Sequence, residues 1–316
     1  MEKSLNKIIT AILSGDDYRP FVLDTINRRF VDNVHAILVT VFEARQRNRE
    51  SDWWKEELVS LLREKRDVLW FGGLNQKTAF SMEGTTKKEV CVKLGRQNLQ
   101  SIQSLIDELS TESVPHIDVR IRYKGQEIKL SEGESILLVN AIAAMKLTIQ
   151  GGAWSEVGKK VEKRILFTIF EMLRIPSAQY VLVFEEMVKK GLVGNREIDA
   201  IVFSDDRNQK LQIELKLLAG NPEIGDEALA RGVDLFLVDR LSPMMIEEGK
   251  KKGVATIIFR GRSALKEIHD FFKGKGVTVK EPKLTGISGQ VFNIGKQYDE
   301  SRERVAILQK AKELLP

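Results

Sequence analysis

Apolar residues recur every three or four positions through the first part of the chain. "EKSLNKIITAIL" (2–13), "RPFVLDTINRRFVDNVHAILVTVFEARQR" (19–47), "DWWKEELVSLLREKR" (52–66) and "RQNLQSIQSLIDEL" (96–109) all carry this spacing. It lines one face of a helix, so each stretch is expected to be helical. "GGLNQKTAFSMEGTTKKE" (72–89) interrupts them as a polar loop. "HIDVRIRYKGQEIKLS" (116–131) alternates on both sides of Lys124-Gly125, the mark of a hairpin. A further helical stretch, "GESILLVNAIAAMKLTI" (133–149), ends at "QGG" (150–152), which reads as a hinge.

After the hinge the rhythm changes. A long helical segment, "SEVGKKVEKRILFTIFEML" (155–173), leads into short apolar runs at "YVLVF" (180–184), "EIDAIVF" (197–203), "KLQIELKLL" (210–218), "VDLFLV" (233–238) and "ATIIF" (255–259). Helical "PMMIEEGKKK" and "SALKEIHDFF" separate the later runs, and "ESRERVAILQKAKELL" closes the chain. Strands alternating with helices predict an α/β fold, a mixed β-sheet flanked by helices, preceded by a mainly helical domain. The expected division is 1–150 and 151–316, which suits a chain of 316 residues.

Composition narrows the chemistry. No apolar run approaches the length that spans a bilayer, and the start has no secretory signal, so no membrane partner is expected. Cys91 is the single cysteine, which fits a reducing cytoplasm. Three dispersed histidines leave little for a zinc site. Carboxylates, lysines and a hard metal ion remain. The net charge is +5, yet residues 249–283 carry ten Lys and Arg against Glu267, Asp270 and Glu281. That density fits a polyanion partner such as DNA and fits a solvated basic surface equally well.

One pattern resists a purely structural explanation. Glu214 and Lys216 interrupt the apolar run "KLQIELKLL", where burying a charge costs several kcal/mol unless it is paired or binds a metal. Side chains alternate along a strand, so Glu214 and Lys216 share a face while Ile213, Leu215 and Leu217 take the other. A short polar turn, "SDDRNQ", joins this run to "EIDAIVF" as an antiparallel hairpin. With the turn centred between Arg207 and Asn208, Asp199 falls opposite Lys216, on the face of Glu214. A one-residue slip would send it to the other face. A buried ion-pair network accounts for one acid–base pair and leaves a second carboxylate over. Two carboxylates and a lysine on one face suit Mg²⁺, which takes oxygen ligands and binds phosphate.

Asp199, fourteen intervening residues, then Glu214-Leu215-Lys216 resembles the signature of the PD-(D/E)xK nucleases, with Ile198 in place of the proline. "GLNQKTAFSMEG", "GGAWSEVGKKVEK", "REIDAIVF" and "IELKLLAGNPE", in this order, resemble the CfrBI-type restriction endonucleases from about residue 70 to 240. The resemblance implies a Mg²⁺-dependent type II enzyme that hydrolyses double-stranded DNA to 5′-phosphate ends. It implies Asp199 and Glu214 as metal ligands and Lys216 as the group that positions water. It also implies a homodimer and a cognate DNA methyltransferase as functional partner. Relatives often add an acid from the preceding helix. Gly158-Lys159-Lys160-Val161-Glu162 fits that arrangement, with Glu156 as rival; Glu162 shares a face with Leu166, Ile169 and Leu173. Glu223 in "GNPE" is a further candidate acid.

A second Asp-to-Glu-x-Lys spacing, Asp118 with Glu127-Ile128-Lys129, falls on the 116–131 hairpin. There the charges pair across the strands, as on an ordinary half-exposed ribbon. Candidate DNA contacts are Asn75, Lys77, Thr78, Lys87 and Lys88 in the 72–89 segment, with Arg120 and Arg122 on the ribbon. Two other readings fit the same residues: a repair or junction-resolving nuclease on this fold, and a DNA-binding protein whose carboxylates are structural.

Overall fold

The computed structural model describes residues 2–48, 53–109, 117–193, 198–217, 232–261, 264–298 and 300–315. They fall in two compact units, residues 24–154 and residues 1–23 with 155–316. The first helix, α1 (Glu2–Ser14), therefore belongs with the sheet, whereas periodicity alone groups it with the other N-terminal helices.

In the unit spanning 24–154, most of α2 (Arg19–Arg47) is followed by a short π-helix, Trp54–Leu58, then α3 (Lys65–Phe71), α4 (Gln76–Glu83) and α5 (Lys88–Leu109). The 52–66 segment is thus not one α-helix. Adjacent Trp53 and Trp54 are both buried, and Trp54 stacks edge-on against Phe71 at 5.9 Å. The π turn closes with Val59 N–H donating to the Trp54 carbonyl, five residues back. The expected 72–89 loop contains α4. Asn75 caps its start by accepting from Thr78 N–H at 2.9 Å, and Gly84, left-handed at φ 66°, ends it. The ribbon β1 (Arg120–Tyr123) and β2 (Gln126–Lys129) has the expected register, Arg122 opposite Glu127 and Arg120 opposite Lys129.

No hinge interrupts residues 150–152. α6 (Glu132–Leu173) is a single helix of 42 residues that continues through both glycines. Each glycine costs about 1 kcal/mol relative to alanine. Buried Leu137, Leu138 and Met145 towards one end, and Ile165, Ile169 and Phe170 towards the other, outweigh that cost.

The other unit is built on a five-stranded sheet ordered β3 (Tyr180–Leu182), β4 (Ala200–Phe203), β5 (Lys210–Lys216), β6 (Leu235–Val238), β7 (Ala255–Ile258). β3 pairs with β4, and β4 with β5, antiparallel; β5, β6 and β7 are mutually parallel. This is the mixed α/β arrangement expected. All five apolar runs form strands, with α7 (Glu185–Lys189) and α8 (Pro243–Lys251) between them and α9 (Ala264–Gly274), α10 (Ile287–Gly295) and α11 (Glu300–Leu314) after them. β4 and β6 are buried at every residue, as strands covered on both faces must be. Phe170 of α6 joins the layers, packing on Tyr180 at 4.6 Å and on Phe272 of α9 at 6.1 Å.

Arg164 fixes this part of α6. Its buried guanidinium donates to Asn6 Oδ1 at 2.8 Å and to the Gly295 carbonyl at 3.2 Å, tying α1 and α10 to α6. A Cβ at 295 would fall 2.4 Å from the guanidinium, so a larger residue there must displace this hydrogen-bonded arginine.

Candidate active site

β4 and β5 pair with Ala200 opposite Ile213, so Asp199, one residue before β4, faces Glu214 rather than Lys216. The register lies two residues from the expected one because the turn centres between Asp206 and Arg207. Arg207 takes the left-handed conformation at φ 59°, and Asp206 accepts from Asn208 N–H at 3.0 Å. The even difference keeps Asp199 on the face of Glu214 and Lys216.

Asp199 is held from several directions. Its backbone N–H donates to the Ile213 carbonyl at 2.8 Å, and its own carbonyl accepts from Val183 N–H at 2.9 Å. Its carboxylate accepts from Leu215 N–H at 2.8 Å through Oδ2 and from Lys163 Nζ at 2.6 Å through Oδ1. Lys163 Nζ also donates to the Asp199 carbonyl at 3.1 Å. On β5, Glu214 is fully buried, with Oε1 3.5 Å from Lys216 Nζ.

Glu162, on α6, completes the group. Burial raises its carboxyl to about 7, and the Asp199 carboxylate pushes in the same direction. Lys216, Lys163 and a hydrogen bond from Leu217 N–H pull it back down. Three of the four expected catalytic side chains, Glu162, Asp199 and Lys216, therefore feel one another's charge, and Glu214 pairs with Lys216. The side chain of Glu156 and the whole of Glu223 lie outside the described residues.

Two participants escape sequence reasoning. Lys163 reads there as one more basic residue on a charged helix turn; its only signal is its place beside Glu162. Tyr18 lies 199 positions from its partner: its hydroxyl donates to the carbonyl of Leu217, the residue whose N–H holds Glu162. Burial first, and the Asp239 carboxylate second, raise the Tyr18 phenol well above its ordinary value, so it stays a donor. Around it, Arg260 bridges Asp239 Oδ1 at 3.2 Å and Asp17 Oδ1 at 3.0 Å. These groups lie beyond the carboxyl ends of the parallel strands, where open α/β sheets bind ligands.

The donors suit Mg²⁺ in kind: oxygen-only, with Glu162 and Asp199 close enough to repel in a desolvated pocket. Among the described residues no three His, Cys, Asp or Glu side chains form a ready-made metal cage. Mg²⁺ does not require one, since it is commonly held by one or two carboxylates with water and phosphate completing its shell.

The expected nucleic-acid contacts lie in the 24–154 unit. Asn75 and Thr78 form the cap of α4, Lys77 and Lys87 are exposed, and Lys88 opens α5. On the ribbon Arg122 is bonded to Glu127, and Arg120 is 3.8 Å from the same carboxylate. Asp118 pairs with Lys129 at 3.3 Å, so the second Asp-to-Glu-x-Lys spacing is an exposed ion-pair ladder.

The family model for CfrBI restriction endonuclease matches residues 2–245. The chain belongs to the CfrBI restriction endonuclease family. No curated protein and no solved structure matches it. The match takes in α1, α6, Asp199 and the β4–β5 hairpin, so the Glu162–Asp199–Lys216 group lies within the part that makes this chain a CfrBI-family member. Membership makes it a nuclease of the hydrolase class with DNA as substrate. No helix among the described residues is long and apolar enough to cross a membrane.

Proposed function

We propose that this CfrBI-family nuclease is a type II restriction endonuclease of the PD-(D/E)xK kind, cutting both strands of a specific duplex sequence with Mg²⁺ as cofactor. The observation that carries the reading is the crowding of Glu162 and Asp199 in one desolvated pocket with Lys216 and Lys163 beside them. Asp199 and Glu214 would hold the ion, with Glu162 as a further ligand. Bound there, Mg²⁺ supplies Lewis-acid polarisation of the phosphoryl oxygen and lowers the pKa of water.

The chain's own groups do the rest. Lys216 orients the attacking water and offsets negative charge developing on the phosphorus oxygens. Water's oxygen bonds to phosphorus as the bond to the 3′-oxygen breaks in line; the 3′-oxygen leaves with a proton, giving 5′-phosphate and 3′-hydroxyl ends. The unit spanning residues 24–154 would supply recognition and dimerisation, with Asn75, Lys77, Thr78, Lys87, Lys88, Arg120 and Arg122 as DNA contacts, and residues 155–316 together with 1–23 would form the catalytic unit. Two-fold symmetry in a homodimer would match a palindromic site and place one active site on each strand. A methyltransferase of the same specificity protects host DNA in the cytoplasm.

Plasmid DNA incubated with the purified protein tests this. Discrete fragments from intact duplex with Mg²⁺, and none with EDTA, are expected. Cutting confined to branched or damaged DNA would favour a junction or repair nuclease, and binding without cutting would make the carboxylates structural.

A further inference from the structure

We propose that Lys163 is a tethered cation of this site: its ammonium holds the Asp199 carboxylate while no divalent ion is bound, and yields that oxygen when an ion enters. The inference rests on the reading of Asp199 as a metal ligand and adds a residue the family signature does not contain. Glu162 and Asp199 repel each other beside Lys163 and Lys216, and Glu214 pairs with Lys216. Lys216 stands 3.5 Å from Glu214, and Lys163 stands 2.6 Å from Asp199 Oδ1. The latter is at the short end of charge-assisted bonds. Both partners are largely out of water, with side-chain exposures of 17% for Lys163 and 10% for Asp199.

Lys163 contacts both the carboxylate and the backbone carbonyl of Asp199, beside Glu162, a second acid that Asp199 repels. It therefore supplies positive charge where two negative groups converge. An ion on Asp199 Oδ1 would sit about 2.0–2.1 Å from that oxygen. An ammonium at hydrogen-bond distance from the same oxygen would then be repelled at close range, so the two cations compete. Lysine suits such an exchange, because its compact charge rides on a flexible stem and rehydrates readily.

Titration calorimetry of Mn²⁺ into the metal-free full-length protein tests the exchange without reference to cleavage. Lys163→Met is expected to bind Mn²⁺ more tightly than wild type by on the order of tenfold, the weight of one charge-assisted hydrogen bond lost from the competitor. Lys163→Arg keeps a competing cation and stays near wild type. Metal-free Lys163→Met melts at a lower temperature and recovers when Mn²⁺ is added. If that variant does not fold, Lys163→Gln, neutral yet able to donate to Asp199, is expected to show the same tightening in smaller measure. Equal or weaker Mn²⁺ binding by the neutral variants, or no binding by any of these proteins, overturns the inference. Wild-type affinity in Asp199→Ala would instead remove Asp199 from the ligand set, a failure of the proposed function itself.

Discussion

Replacing Glu162 by glutamine isolates the electrostatic strain in the site. Burial and the Asp199 carboxylate hold Glu162 at about 7, against an ordinary 4.5. The folded protein thus binds this proton more tightly than the unfolded chain. Its stabilising effect is complete below about 4.5 and is lost as pH rises to about 7, above which stability levels off. At about 1.4 kcal/mol for each tenfold step, ionising Glu162 in the fold costs roughly 3 kcal/mol at pH 8. Glutamine cannot ionise, and its amide oxygen can still accept from Leu217 N–H. Urea denaturation in EDTA should therefore find Glu162→Gln more stable than wild type by roughly 2–3 kcal/mol at pH 8 and nearly equal at pH 4.5. Adding Mg²⁺ should narrow the gap at pH 8, since only the wild type has the charge to gain from it. A variant less stable than wild type at both pH values would refute the reasoning, because Glu162 would then be a satisfied partner and not a strained one.

Further outcomes follow from the same contacts. Tyr18→Phe leaves the Leu217 carbonyl without its buried donor; it should lower stability by about 1–3 kcal/mol and reduce the cleavage rate more than DNA affinity, as measured by single-turnover kinetics. Arg164→Met strands Asn6 and the Gly295 carbonyl, both neutral acceptors, and should cost about 1–3 kcal/mol in thermal or urea unfolding. If Glu162 is the further ligand proposed, protons compete with the ion for it, and the Mg²⁺ concentration for half-maximal cleavage should rise as pH falls below about 7, approaching about tenfold per pH unit.

Much of the sheet-bearing unit is legible in the sequence because its signals are local. Strands such as "AIVF" and "LFLV" are continuous apolar runs, and the alternation around Glu214 and Lys216 fixes their common face whatever the exact turn. Side-chain chemistry inside the turn moved the register by two residues, an even shift that parity arguments survive. Three readings failed where local pattern was weak or misleading. Two glycines suggest a hinge, yet apolar burial at both ends carries α6 through them. A polar stretch hides α4, whose single buried side chain, Ala79, gives no periodicity, although the Asn75 cap and Gly84 stop bracket it. The 52–66 stretch has helical spacing, yet it forms a π turn over Trp54–Leu58 and then leaves the helix, a departure the spacing does not mark. In the site, Asp199, Glu214, Lys216 and Glu162 are legible because spacing places them. Tyr18 and Lys163 act through contacts made only on folding, 199 and 36 residues away in sequence.

The central claim is that Asp199 serves the chemistry and not the binding of DNA. Asp199→Ala, checked for folding by circular dichroism, should be titrated onto a labelled duplex carrying the recognition sequence and, in parallel, incubated with the same duplex and Mg²⁺. Wild-type affinity with no detectable cleavage is the expected result; cleavage at the wild-type rate would contradict the account.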